Sequence, residues 1–162
     1  MNPGPAADPR SPIVPATTAD AGEIQRLLEA SGLPTGDLNA RLLPHFLVCR
    51  QGGELIAVVG LEPAGDTALL RSLAVTASLG GGGIGRQMVA AAEASARRRG
   101  IATLYLLTTT APQYFSRLGY RHVPRSSAPT GIRDTPQFSS LCPSSSSFMA
   151  KALAADSRAF QR

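Results

Sequence analysis

Between Leu69 and Met88 the chain reads LLRSLAVTASLGGGGIGRQM, an apolar strand-like run, four consecutive glycines, Ile84, Gly85 and a helix-forming stretch. Glycine tolerates positive φ and lets another group approach the backbone closely. The first amides of a helix lack intrahelical acceptors and point out of its N-terminus. A strand, a glycine turn and a helix start therefore make an anion site, and a diphosphate fits it. A plain flexible loop is the competing reading of a glycine run taken alone. Two other phosphate loops do not match: a Walker loop ends in Gly-Lys-Ser or Gly-Lys-Thr, and a dinucleotide fingerprint needs GxGxxG on a parallel strand near the N-terminus.

The surrounding pattern frames that turn. Residues Met1–Pro12 are rich in Pro, Ala, Gly and Asn without periodicity and are expected to form a disordered arm, with a domain over 13–153 and a flexible tail over 154–162. Thr17 and Thr18 precede apolar positions at Ile24, Leu27 and Leu28 that stop at Gly32 and Pro34, which predicts a capped amphipathic helix. A second short helix is expected over Asp37–Leu43. His45–Arg50, Glu54–Leu61 and Thr67–Val75 read as three strands of an antiparallel meander. After Gly85, Met88, Val89 and Ala92 recur at helical spacing until Arg97, Arg98, Arg99 and Gly100, where cations and a glycine suit a helix C-terminus. Ile101–Thr108 and Tyr120–Val123 read as strands around helical turns at Pro112–Leu118. Pro129 opens a helix to about Phe138, and Phe148–Leu153 forms the last strand.

Composition narrows the function. A chain of 162 residues, 43% apolar, suits one hydrophobic core and hence a single domain. No apolar run approaches the ~20 residues that cross a bilayer, and the N-terminus lacks a signal layout, so a cytoplasmic protein with no membrane partner is expected. Cys49 and Cys142 are too few and too isolated for a disulfide framework or a metal set, and read as buried apolar thiols. Net charge is +5, carried almost entirely by arginine because Lys151 is the only lysine, which favours anionic partners. Nucleic acid is disfavoured, because no helix shows a dense basic face and aromatic residues are few.

On the glycine turn, the chain resembles the GNAT superfamily of acetyl-CoA-dependent N-acyltransferases, whose signature is Arg or Gln, two variable residues, Gly, any residue, and Gly or Ala. Gly83 and Gly85 match; the first position is Gly80, so one side-chain contribution is missing and the turn depends on backbone amides. The resemblance implies an α/β fold with a mixed, mostly antiparallel sheet flanked by helices, whose two central strands splay to admit the pantetheine. It implies acetyl-CoA as co-substrate, held by Gly80, Gly81, Gly82, Gly83, Ile84, Gly85 and Arg86 at the diphosphate. Leu73, Ala74 and Val75 would bind the pantetheine through their backbones. The stretch Ala111 to Tyr120 is similar to the second coenzyme motif, a short helix ending in Gly and an aromatic. Many members place a tyrosine four residues before that glycine to protonate the leaving thiolate; here the position is Phe115, counted with the coenzyme residues, and Tyr114 beside it is the catalytic candidate. Neighbours on a helix point about 100° apart, so Tyr114 is not a direct stand-in.

For the acceptor, strand alternation would put Arg71 on the same face as Leu73 and Val75, where it could meet an anionic substrate; pairing with a neighbouring carboxylate is the alternative. Arg133 and His122 carry the same double reading. Glu54, Glu62, Asp66 and His122 are the nearest candidates for a base. Strings from Gly32-Leu33-Pro34 through Tyr105–Thr110 and Ile132-Arg133 to Leu141-Cys142-Pro143 look like the arsenic-resistance N-acetyltransferase subfamily, which implies a small arsenic-bearing or amino-acid-like amine. Competing readings are an acetyltransferase for another amino acid or an antibiotic amine, acetylation of protein N-termini or lysines, and a coenzyme-binding module without turnover. The resemblance also allows a homodimer.

Overall fold

The computed structural model describes residues 11–80 and 82–154, so most of the expected arm and tail, and Gly81, lie outside the described residues. The elements are β1 (Ile13–Pro15), α1 (Ala21–Ala30), β2 (Phe46–Gln51), β3 (Glu54–Ala64), β4 (Thr67–Val75), α2 (Ile84–Arg98), β5 (Thr103–Thr108), α3 (Pro112–Arg117), β6 (Arg121–His122), α4 (Thr130–Arg133) and β7 (Ser147–Ala152). The strands make a mixed sheet of order β1-β2-β3-β4-β5-β7-β6. β4 and β5 run parallel, whereas β1 with β2, β2 with β3, β5 with β7, and β6 with β7 run antiparallel. A parallel neighbour requires a crossover, and α2 supplies it. This is the α/β fold with a mostly antiparallel sheet and flanking helices that the sequence predicts. Among the described residues no helix is long and apolar enough to cross a membrane.

Two compact units are present, Met1–Gly60 with Ser72–Ala92, and Leu61–Arg71 with Glu93–Arg162. In the first, α1 buries Ile24 and Leu28 against Phe46, Val48, Leu55, Val58 and Ala74. The spacing of four between Ile24 and Leu28 puts both on one helix face. Gly60 is part of the same packing, because a Cβ there would overlap the Phe46 ring. In the second unit Leu69, Ala128, Ile132 and Phe148 form the core, with Tyr105 stacked on Phe148 at 5.3 Å and Phe138 edge-on to it at 5.3 Å.

An ion cluster anchors the start of α1. The register of β2 against β3 shifts between Cys49 and Arg50, and such a bulge re-aims the side chain beside it. Arg50 reaches Asp20 Oδ1 at 2.6 Å, Glu23 Oε1 at 2.9 Å and the Gly53 carbonyl at 2.9 Å. Asp20 Oδ2 accepts the Thr17 backbone amide at 2.8 Å. That amide, then the Arg50 guanidinium, hold the Asp20 carboxyl below its ordinary value of 3.8.

Two expectations fail locally, and one strand goes beyond them. Asp37–Leu43 is a run of turns, because Asn39 Oδ1 accepts the amides of Arg41 at 2.8 Å and Leu42 at 3.2 Å; an Asn side chain that serves nearby amides competes with a helix. The helix expected from Pro129 to about Phe138 is broken into α4 and a π-turn over Gln137–Leu141, with Pro136 at the junction. β1 was not expected, and it pairs Ile13–Pro15 with Leu47–Cys49.

Gly60→Ala is expected to lower stability by about 1–3 kcal/mol, as overpacked cores do, read from urea denaturation midpoints. Asp20 has a depressed folded-state value, so its contribution is complete above 3.8 and is lost as pH falls through the lower folded value. The stability gap between the wild type and Asp20→Asn should therefore be present at neutral pH and close below about pH 4; a gap independent of pH would contradict this.

Candidate active site

In the first unit, β4 ends where Thr76 turns back on β3: its amide and its hydroxyl both donate to the Ile56 carbonyl, at 2.8 and 3.0 Å. A short 3-10 turn over Ala77–Leu79 follows, and the Gly82 amide donates to the Leu79 carbonyl at 3.3 Å. Gly83 then takes a φ of 84°, the left-handed region that side chains disfavour. Its carbonyl accepts the Gln87 amide at 3.1 Å, the first helical bond of α2. The amides of Ile84, Gly85 and Arg86 thus precede the intrahelical ladder, and among the described residues none of them donates to a loop carbonyl. The Ile84 side chain is buried, Gly85 is half-buried and Arg86 is exposed, so Ile84 can contribute to an anion site only through its backbone. Gly80 is exposed and in extended conformation.

On β4, Ser72 has a φ of 57°, the one non-glycine residue with positive φ among those described. A left-handed residue interrupts the two-residue repeat of a strand. The alternation that would group Arg71 with Leu73 and Val75 therefore does not carry across Ser72. Ala74 is buried in the core of its unit, and Leu73 and Val75 are half-buried.

In the second unit, Arg71 has a side chain only 1% exposed and donates from Nη1 to Glu62 Oε1 at 2.8 Å. Of its two sequence readings, the carboxylate pair is the arrangement seen. Asp66 and His122 are exposed, as is Glu54 of the first unit. Arg133 is exposed and donates from Nε to the Ala128 carbonyl at 3.1 Å.

α3 ends in a complete left-handed cap. The Tyr120 amide donates to the Phe115 carbonyl at 3.0 Å, the Gly119 amide donates to Ser116 at 3.1 Å, and Gly119 has a φ of 96°. This is the Schellman arrangement, and its hydrophobic contact is present as Phe115 edge-on to Tyr120 at 5.8 Å. The glycine and aromatic that close the second motif thus have a local cause. Phe115 is buried by that contact, whereas Tyr114 is half-buried and edge-on to Phe115 at 5.3 Å.

Sequence reasoning missed Glu93, Tyr120 and Lys151 as a group. Tyr120 Oη donates to Glu93 Oε2 at 2.9 Å, and Lys151 Nζ donates to Glu93 Oε1 at 3.0 Å. Burial, then the Glu93 charge, push the Tyr120 hydroxyl well above its ordinary range, which keeps it the donor of that bond. One signal was legible: Glu93 is a carboxylate set among buried Val89, Ala92 and Ala96 on the apolar face of α2. Among the described residues no cluster of His, Cys, Asp and Glu is arranged to hold a metal ion.

The family described as the acetyltransferase (GNAT) domain matches residues 43–122, from β2 through β6. The chain is 30% identical over 129 residues to an amino-acid acetyltransferase of Pseudomonas putida, which covers 75% of this chain and 28% of that protein. The chain thus spans about a quarter of the length of the curated relatives it matches. Among solved structures it is similar to N-acetylglutamate synthase from Neisseria gonorrhoeae complexed with coenzyme A and N-acetyl-glutamate, with a TM-score of 0.79, 22% identity, and coverage of 92% of this chain and 36% of that one. It is also similar to Rv2747 of Mycobacterium tuberculosis in complex with coenzyme A, with a TM-score of 0.74, 20% identity, and coverage of 88% of this chain and 99% of that one. The chain belongs to the GNAT acetyltransferase superfamily.

Ser72→Val should cost about 1–3 kcal/mol, because a β-branched residue strains at positive φ. Denaturation of the purified variant checks this, and an unchanged midpoint would mean that β4 relaxes to regular alternation.

Proposed function

We propose that this protein transfers the acetyl group of acetyl-CoA to the amine of a small, amino-acid-like acceptor with an anionic head. The observation that carries the reading is the left-handed Gly83 before α2, which leaves the amides of Ile84, Gly85 and Arg86 open at the helix start. A diphosphate accepts hydrogen bonds from such amides and gains from the helix dipole. Gly80, Gly81 and Gly82 would let the backbone approach it. Leu73, Ala74 and Val75 would pair through their backbones with the pantetheine.

Acetyl-CoA supplies an acyl group activated as a thioester. The acceptor amine must be neutral to attack, its nitrogen bonding to the acyl carbon as the carbon–sulfur bond breaks. A backbone amide near Val75 would stabilise the carbonyl oxygen as it gains charge. Tyr114 would give its proton to the leaving thiolate, and the proton that the nitrogen sheds on becoming an amide would return to Tyr114 through solvent.

Amino-acid acceptors are favoured by the Pseudomonas putida relative, named an amino-acid acetyltransferase. Arg133, exposed at the end of α4, is the open candidate for an anionic head, since a guanidinium suits an oxyanion. His122 is a second exposed candidate. Arg71, paired with Glu62 and with its side chain only 1% exposed, is the less favoured of the three candidates. The resemblance to arsenic-resistance N-acetyltransferases implies a small arsenic-bearing or amino-acid-like amine, and both carry the anionic head of this reading.

The test is thiol release from acetyl-CoA across glutamate, other amino acids, and phosphinate and arsenic-bearing amines. Turnover with one of these is expected; calorimetric binding of acetyl-CoA without turnover on any would favour a binding module. Gly83→Val should weaken acetyl-CoA binding roughly tenfold or more, a change of about 1.4 kcal/mol, while circular dichroism stays unchanged. Wild-type affinity in that variant would move the diphosphate elsewhere.

A further inference from the structure

Glu93 is a carboxylate on the buried face of α2, its side chain 8% exposed. Tyr120 Oη donates to Oε2 at 2.9 Å, and Lys151 Nζ reaches Oε1 at 3.0 Å and Oε2 at 3.1 Å. Arg97 Nη2, one helical turn on, stands 3.9 Å from Oε1. The lysine makes one more bond, to the Leu118 carbonyl at 2.9 Å. Its ammonium lies 5.6 Å from the centre of the Tyr120 ring. These residues all belong to the second unit.

Leu118 is the C-cap of α3, and a carbonyl at a helix end has no intrahelical donor. Here it is met by an ammonium whose own place is set by a buried carboxylate. The path of the lysine over the cap is also specific. A Cβ on Gly119 would lie 3.2 Å from Lys151 Cε and 3.4 Å from Nζ, so the lysine crosses the cap where no side chain stands. An ammonium has three donors on one atom and can serve two carboxylate oxygens and a carbonyl together; a planar guanidinium fits that set poorly.

We propose that Lys151 is a positioning residue for acyl transfer: Glu93 and Tyr120 hold its ammonium, and the ammonium holds the C-terminal end of α3, the helix that carries Tyr114. The proposal rests on the acetyl-transfer reading above. Truncating Lys151 alone would leave a carboxylate buried without its cation, which endangers the fold itself. The informative variant is Glu93→Gln with Lys151→Met, which removes both charges and keeps an acceptor for Tyr120 Oη.

The double variant is expected to unfold cooperatively. Amide exchange over 113–118 should quicken by about tenfold while exchange in β2 and β3 is unchanged. In thiol-release assays kcat should fall about tenfold with KM for acetyl-CoA within about twofold, because a misplaced acid is felt in the transition state and not in coenzyme binding. A general loss of stability would not produce that split. Lys151→Arg, which keeps the charge and so the fold, should loosen α3 and lower kcat together, to a smaller extent. Unchanged exchange over α3 in the double variant, or looser α3 with wild-type kcat in either variant, overturns the proposal. Wild-type protein that turns over no amine overturns the acetyl-transfer reading and the positioning role with it, whereas an active wild type beside an unaffected double variant overturns the positioning role alone.

Discussion

A single change of backbone hand carries the candidate site. Gly83, at a φ of 84°, closes the turn after β4 and gives its carbonyl to the first bond of α2. The left-handed Gly83 sets how the chain enters a fifteen-residue helix, whose first amides have no intrahelical acceptor. The neighbouring glycines act differently. A Cβ at Gly82 would stand 3.3 Å from the Leu79 carbonyl, so its constraint is space, whereas a Cβ at Gly83 would meet nothing within 4 Å among the described residues and its constraint is the dihedral.

The second unit uses the same device at Gly119, where a left-handed glycine caps α3. There the cap is reinforced by polar chemistry. A buried carboxylate with one donor missing costs several kcal/mol, and Glu93 avoids that through Tyr120 and Lys151. The ion pair therefore specifies geometry more than it adds stability, because well-packed apolar residues in its place would be comparably stable.

Much of this was readable in the chain. The meander of β2, β3 and β4 shows as apolar runs divided by glycine turns, and α2 shows as a helical repeat of Met88, Val89 and Ala92 behind the glycines. What was not readable depends on competition or on distance. Asn39 captures two amides that a helix over Asp37–Leu43 would have needed. Ser72 adopts a left-handed conformation that no residue propensity foretells, and it breaks the alternation from which the placement of Arg71 followed. The bonds from Glu93 to Tyr120 and Lys151 span 27 and 58 positions, so only a charge on an apolar helix face hinted at them.

Membership in the GNAT acetyltransferase superfamily fixes the class of chemistry to look for, and the proposed function puts the coenzyme at the turn before α2. The most direct test is a crystal structure of the protein with coenzyme A. The diphosphate is expected within hydrogen-bond distance of the Ile84, Gly85 and Arg86 amides, with the pantetheine along Leu73–Val75. A diphosphate bound at any other element, or no bound coenzyme at millimolar concentration, would contradict the account.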